Sequence, residues 1–274
     1  GQSYLLITGN IDLSIGSMVG MSAMISATMM TRGISPVFAM AVALICCLCC
    51  GVVNGILVGK FKLPPFIATL GTMFVTRGAA YMVNNNRNTD AIATGIGKDA
   101  GDAFQNFFYY GKTFGIFNTF WIALALFLVF FFLLSKTRTG RHIYAIGSNV
   151  DAAKLSGVNV VTTTIKAYLV SSVCACVVGL ILCAQAGMGN MEAGNMYEMY
   201  GVAAGVIGGI SPLGGTGLLL GTFAGAAVWQ TLENGLNMIG AQVGIQRLVI
   251  GIIVVFSVLL DVVVRSGNFG KKSK

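Results

Sequence analysis

The sequence predicts an all-α, polytopic transmembrane helix bundle, and three observations carry that expectation. Hydrophobic residues make up 55% of the chain and charged residues only 9%, and the mean hydropathy is +0.82. Soluble domains are roughly one-quarter charged, so most of these side chains are suited to lipid. The segment Gly115 to Leu134 (GIFNTFWIALALFLVFFFLL) contains no charge and has about the twenty residues that cross roughly 30 Å of hydrocarbon as a helix. The apolar runs are continuous rather than alternating, which favours helices over a transmembrane barrel.

Taken in order, polar breaks and prolines delimit apolar runs at about Ile15 to Thr31, Val37 to Gly59, Phe66 to Val83, Gly115 to Leu134, Ala167 to Gln185, Tyr200 to Ile210, Gly217 to Leu236 and Leu248 to Val264. Pro36, Pro64, Pro65 and Pro212 all fall at the edges of these runs, where a missing amide hydrogen costs least. Gly51, Gly55 and Gly59 repeat every fourth residue, as do Gly217, Gly221 and Gly225, a spacing that lets helix backbones approach closely. The chain opens in GQSYLLITGN, as though within an apolar segment, and the natural N-terminus is expected to extend further. Residues 1–274 are read as a single transmembrane domain, with the loop 136–166 on the cytoplasmic side.

That orientation follows from the Lys and Arg bias of short loops. Lys136, Arg138, Arg141, Lys154 and Lys166 face a single acid, Asp151, in the 136–166 loop. The turn with Lys60 and Lys62 and the tail with Arg265, Lys271, Lys272 and Lys274 are expected on the same side. In Asn84 to Lys112 the charges nearly cancel, so this segment belongs outside. Crossings between the loop and the tail must then be even in number. The run Tyr200 to Ile210 is too short to span and is joined by GGISPLGGTG to its successor. It forms either a broken or re-entrant segment, as transporters use to line a cavity, or a plain tight turn.

The net charge of +8 is spread over loops rather than gathered on one face, so nucleic acid is not an expected partner. The seven cysteines, Cys46, Cys47, Cys49, Cys50, Cys174, Cys176 and Cys183, lie in apolar stretches where a thiol behaves as a small hydrophobe. No metal site is expected. With one histidine, His142, and no phosphate loop of the G-x-x-x-x-G-K-[ST] type, the chain is not expected to be an enzyme or to hydrolyse ATP. Polar groups within apolar runs are the better candidates, because burying them in a bilayer is costly. They are Asp12, Ser14, Asn54, Glu233 and Asn234. Asp12 can equally begin a helix, Asn54 can bond between helices, and Arg77 and Arg247 can snorkel to an interface.

In the basic loop, Asp151 to Leu155 forms a short helix between Asn149, a start signal, and Gly157, a stop signal. A structured helix in a protein with minimal loops favours docking of a soluble partner over a purely topological charge cluster.

The motifs GNIDLSIGSMVGMSA, NGILVGKFKLPPFIATLGTMFVTRG, GRHIYAIGSNVDAAKLSGVNV, GVIGGISPLGGTGLLLGTFAGA and ENGLNMIG resemble, in order and over nearly the whole chain, the permease subunits of bacterial ABC importers for ribose, galactose and related monosaccharides. That family also includes more distant branched-chain amino-acid permeases. The resemblance implies a bacterial cytoplasmic membrane location and alternating-access transport of a monosaccharide, with a branched-chain amino acid or nucleoside as rival cargo. It implies an ABC ATPase subunit that holds the ATP and magnesium, an extracytoplasmic sugar-binding protein, a second permease copy and surrounding membrane lipid, with no cofactor on this chain. The family's ATPase-docking segment maps onto Gly147, Asn149, Ala152, Ala153, Ser156 and Gly157. Where the family has YELDAIAA, this chain has YEMYGVAA from Tyr197 to Ala204. An ion-coupled secondary transporter is a less favoured reading, because it leaves the docking segment unexplained.

Overall fold

The structure, a computed structural model, describes residues 1–242 and, beyond them, 244–246, 248–249, 251–253, 255–256 and 259. Arg247, the tail lysines and arginine, and much of the expected Leu248 to Val264 span lie outside the described residues. Helices α1 (Gln2–Ile7), α2 (Ile15–Thr31), α3 (Pro36–Gly59) and α4 (Pro65–Met82) come first. Pro36 and Pro65 stand in the first turn of α3 and α4, where proline's fixed φ suits the helix and its missing donor has no partner to lose.

A folded insertion follows, containing α5 (Ala93–Ile96), α6 (Lys98–Gln105), a π-helical turn at Asn106–Tyr110 and a hairpin of β1 (Lys112–Thr113) with β2 (Ile116–Phe117). Then come α7 (Asn118–Lys136), α8 (Arg138–Ser148), α9 (Val150–Leu155), α10 (Val160–Ala186), α11 (Tyr197–Ile207) and α12 (Leu219–Met238). Among the described residues α3, α7 and α10 are long and apolar enough to cross a membrane. The all-α bundle is therefore observed, with corrections of boundary. The span expected from Gly115 starts at Asn118, because Gly115 adopts φ +79° in the hairpin turn. The span expected from Ala167 starts at Val160, two turns earlier, where threonines and Lys166 interrupt the apolar pattern.

Tight seams hold the bundle together. At Gly55 an added Cβ would stand 2.6 Å from the backbone of Ile165 in α10, and at Gly51 it would overlap Ser172. The repeated glycines of α3 thus face α10 and let the two backbones meet. Around this seam lies a core that includes Met18, Met24, Ala43, Cys47, Cys176 and Cys183, so cysteines from both clusters serve as packing groups. A second core gathers Tyr4, Leu5, Ile7, Leu134, Ile143 and Tyr168 where α1, α7, α8 and α10 meet.

Lys60, Lys62 and Lys154 surround one cleft, so the two basic turns share one end of the bundle. The insertion caps the other end. There Thr89 and Ile92 donate backbone hydrogen bonds to the Gly189 and Gly187 carbonyls, at 3.0 and 2.9 Å.

Candidate functional site

Two helices begin inside the bundle, and the candidate residues cluster where they do. Residues 8–14 are non-helical, and α2 starts only at Ser14, its N-cap, beside Ser171 near the middle of α10. Asp12 accepts from the Ser14 amide at 2.9 Å, from its hydroxyl at 2.5 Å and from the Ser171 hydroxyl at 3.0 Å. Asn54 donates to Ser14 Oγ at 3.0 Å and accepts from Thr72 Oγ1 at 2.6 Å. The Ser17 and Thr76 hydroxyls pair at 2.6 Å. These side chains bring α2, α3, α4 and α10 into one network, and Asp12, Ser14 and Asn54 are 0% exposed. Buried polar groups need such partners, because an unsatisfied one costs about 1–3 kcal/mol.

The second internal start is α11. Residues 187–196 run without helix from the end of α10, and α11 begins at Tyr197. The short run expected at Tyr200 to Ile210 is observed as α11 at Tyr197–Ile207, followed by GGISPLGGTG as the turn to α12 at Leu219–Met238. Arg77 holds the non-helical stretch before α11, donating to the Met191 and Ala193 carbonyls at 2.8 and 3.1 Å. The expectation that Arg77 merely snorkels is corrected, since its guanidinium turns inward onto backbone. Tyr81 donates to Glu192 at 2.5 Å, Asn88 accepts from the Met191 amide, and Thr89 accepts from the Gly189 amide. The first turns of α2 and α11 meet, and a Cβ on Gly16 would overlap the buried Glu198 carboxylate.

Glu233 and Asn234 sit elsewhere. They line a cleft of about 520 Å³ between α11 and α12, together with Tyr197, Tyr200, Trp229 and Gln230. The rings of Tyr200 and Trp229 lie 5.1 Å apart, and those of Tyr197 and Tyr200 5.8 Å apart. The five candidates thus separate into a sealed group, Asp12, Ser14 and Asn54, and an open pair. Composition alone hid the three aromatics, which look like ordinary apolar residues until Tyr197 and Tyr200 of α11 face Trp229 and Glu233 of α12.

In the segment expected to dock an ATPase, Asn149 accepts from the Asp151 and Ala152 amides at 3.0 and 2.9 Å and so caps α9. Gly157 ends it at φ +80°, a conformation glycine adopts without strain. Ala153 is buried, whereas Ala152 and Ser156 are exposed and Leu155 is 90% exposed. Leu155 was not singled out in the sequence, and its exposure makes it the apolar centre of the outward face of α9.

Gly147 points the other way. A Cβ there would overlap the Ile7 carbonyl and crowd the Gly215 amide, and that same amide donates to the Ile7 carbonyl at 2.8 Å. Tyr144 of α8 donates to the Gly217 carbonyl at 2.7 Å, and burial pushes its phenol pKa up, keeping it a donor. Helix α8 therefore touches the turn after α1 and the turn between α11 and α12 at one point.

Residues 3–258 match the profile of the family described as branched-chain amino acid transport system / permease component. The ribose import permease protein RbsC of Bacillus subtilis (strain 168) is 36% identical over 95% of this chain and 79% of its own length. The galactose/methyl galactoside import permease protein MglC of Haemophilus influenzae is 33% identical over 95% and 81%. The D-allose transport system permease protein AlsC of Escherichia coli (strain K12) is 32% identical over 95% and 78%. No solved structure matches the chain. With nearly its whole length matched and a helical bundle to suit, the chain belongs to this family of transport-system permease components.

Proposed function

We propose that the chain is the membrane-spanning permease subunit of an ABC importer that carries a monosaccharide across the bacterial cytoplasmic membrane by alternating access. Relatives named for ribose, galactose and allose import support the sugar cargo. ATP and magnesium belong to a separate ATPase, an extracytoplasmic binding protein delivers the sugar, and a second permease copy completes the pore. In this reading the 136–166 loop faces the cytoplasm, and the ATPase grips the outward face of α9 at Ala152, Leu155, Ser156 and Gly157. Asn149 and Ala153 hold that helix in place. Glu233 and Asn234 line the sugar's route, and Asp12, Ser14 and Asn54 secure the inner wall beside it.

The observation that carries this reading is the contact of α8 with both turns, through Gly147 and Tyr144. A push on α9 is passed through α8 to the backbone that precedes α2 and to the backbone that joins α11 to α12. Packed elements of this kind switch between arrangements rather than deforming continuously. Co-purification of the permease with its cognate ATPase, with and without Ala152→Arg and Gly157→Arg, tests the reading. Association that is lost in both variants supports it. Association that survives both would overturn the docking assignment, and uptake driven by an ion gradient without any ATPase would overturn the whole reading.

A further inference from the structure

The α11–α12 cleft has a chemistry that lipid contact does not call for. On α12, residues Ala226, Trp229, Gln230, Glu233, Asn234 and Asn237 line it, and their spacing of three and four puts them on one helical face. Gln230 donates to Asn234 at 3.2 Å, and Asn237 accepts from Gln246 at 2.8 Å. Glu233 has no cationic partner among the described residues. Trp229 is 6% exposed, and its indole N–H is buried without an acceptor among the described residues, a deficit a ligand hydroxyl can relieve when α11 and α12 part. Opposite stand Tyr197 and Tyr200. The volume of about 520 Å³ lies within the roughly 300–1,000 Å³ of small-molecule sites.

We propose that this cleft is a saccharide subsite on the transport route, where the C–H face of a sugar ring lies against the Tyr200–Trp229 pair while its hydroxyls exchange hydrogen bonds with Gln230, Glu233 and Asn234. Aromatic rings supply apolar area and a polar edge at low entropic cost. Amides and a carboxylate supply the donors and acceptors that adjacent hydroxyls require. The same arrangement selects against an amino acid. Its carboxylate would lie near Glu233, and the residues that line the cleft include no lysine or arginine. The inference rests on the reading of the chain as a sugar permease and adds the place and the basis of selection.

The chain has two tryptophans, Trp121 and Trp229, so Trp121→Phe, with any tryptophan outside these 274 residues also replaced by Phe, leaves Trp229 as the sole indole emitter. The full-length permease carrying that change, in lipid nanodiscs, is titrated with D-ribose, D-galactose and L-leucine. A saturable emission change with a sugar and none with L-leucine, abolished by Asn234→Ala, is the expected result. In the assembled transporter, Trp229→Leu lowers ATP-driven sugar uptake about tenfold, whereas Trp229→Phe, which keeps the ring, stays within about threefold. Unchanged emission together with full uptake in every variant overturns the subsite and leaves the sugar-permease reading standing. A response to L-leucine and to neither sugar overturns both.

Discussion

Two polar regions lie in one apolar bundle, and they are built on opposite plans. Around Asp12 each of the polar side chains that join α2, α3, α4 and α10 has a partner within the protein, and water is excluded. Between α11 and α12 polar groups line an open cleft, and among the described residues the buried Trp229 indole N–H has no acceptor and Glu233 no cationic partner. A satisfied network fixes geometry. An unsatisfied one keeps bonding capacity for something that comes and goes. The same residue types therefore serve to lock one set of helices and to leave another able to bind.

The sharpest way to break that contrast is Asp12→Leu, which strands the Ser14 and Ser171 hydroxyls in a dry interior. We expect a loss on the order of 3 kcal/mol, measured as a lower midpoint of thermal unfolding in detergent and a poor yield of monodisperse protein. A smaller effect follows from Asn54→Leu, about 1–2 kcal/mol by the same measurement, because it removes one donor and one acceptor from the middle of the chain of bonds. A cycle with Thr72→Val should show coupling of about 1 kcal/mol, since the two side chains are hydrogen-bonded. Paired instead with Asn234→Ala, the Asn54 change should be additive within about 0.5 kcal/mol. Least of all, Asn234→Ala by itself should leave the unfolding midpoint unmoved, while sugar uptake falls several-fold. An unfolding loss at Asn234 comparable to that at Asp12 would erase the distinction between the two regions.

How much of this was legible in the sequence varied with the physics that placed each residue. Helices α2, α3 and α4 fall within a residue of their expected bounds, because Pro36 and Pro65 punctuate the chain locally. The α9 helix was equally legible from Asn149 and Gly157, whose capping is a property of a few adjacent residues. Helix α8 was missed although RTGRHIYAIGS is amphipathic, with Ile143 and Ile146 on its buried face, because Arg138 and Arg141 read as loop charge. The turn GGISPLGGTG between α11 and α12 was legible as a Gly- and Pro-rich break in hydrophobicity, whereas the non-helical stretch 187–196 before α11 was not singled out. The path of that stretch through the bundle could not be read, because Arg77, Asn88 and Thr89 hold it from about a hundred residues away in sequence. Asn54 was expected to bond between helices, and it does so with two of them. Tyr200 and Trp229 were invisible as a pair for the same reason as Arg77: only tertiary packing makes them neighbours.

The junction of Ile7, Gly147, Gly215 and Gly217 has one further consequence. The link between the two turns is the backbone hydrogen bond from Gly215 to Ile7, with Gly147 packed against both, so little slack is left to absorb displacement. The segments leading into α2 and out of α11 are thus constrained to move in phase, as two cranks on one shaft. Under the proposed docking of an ATPase on α9, a stroke of that helix shifts both segments together, and leakage through a half-completed cycle is excluded by geometry rather than by timing.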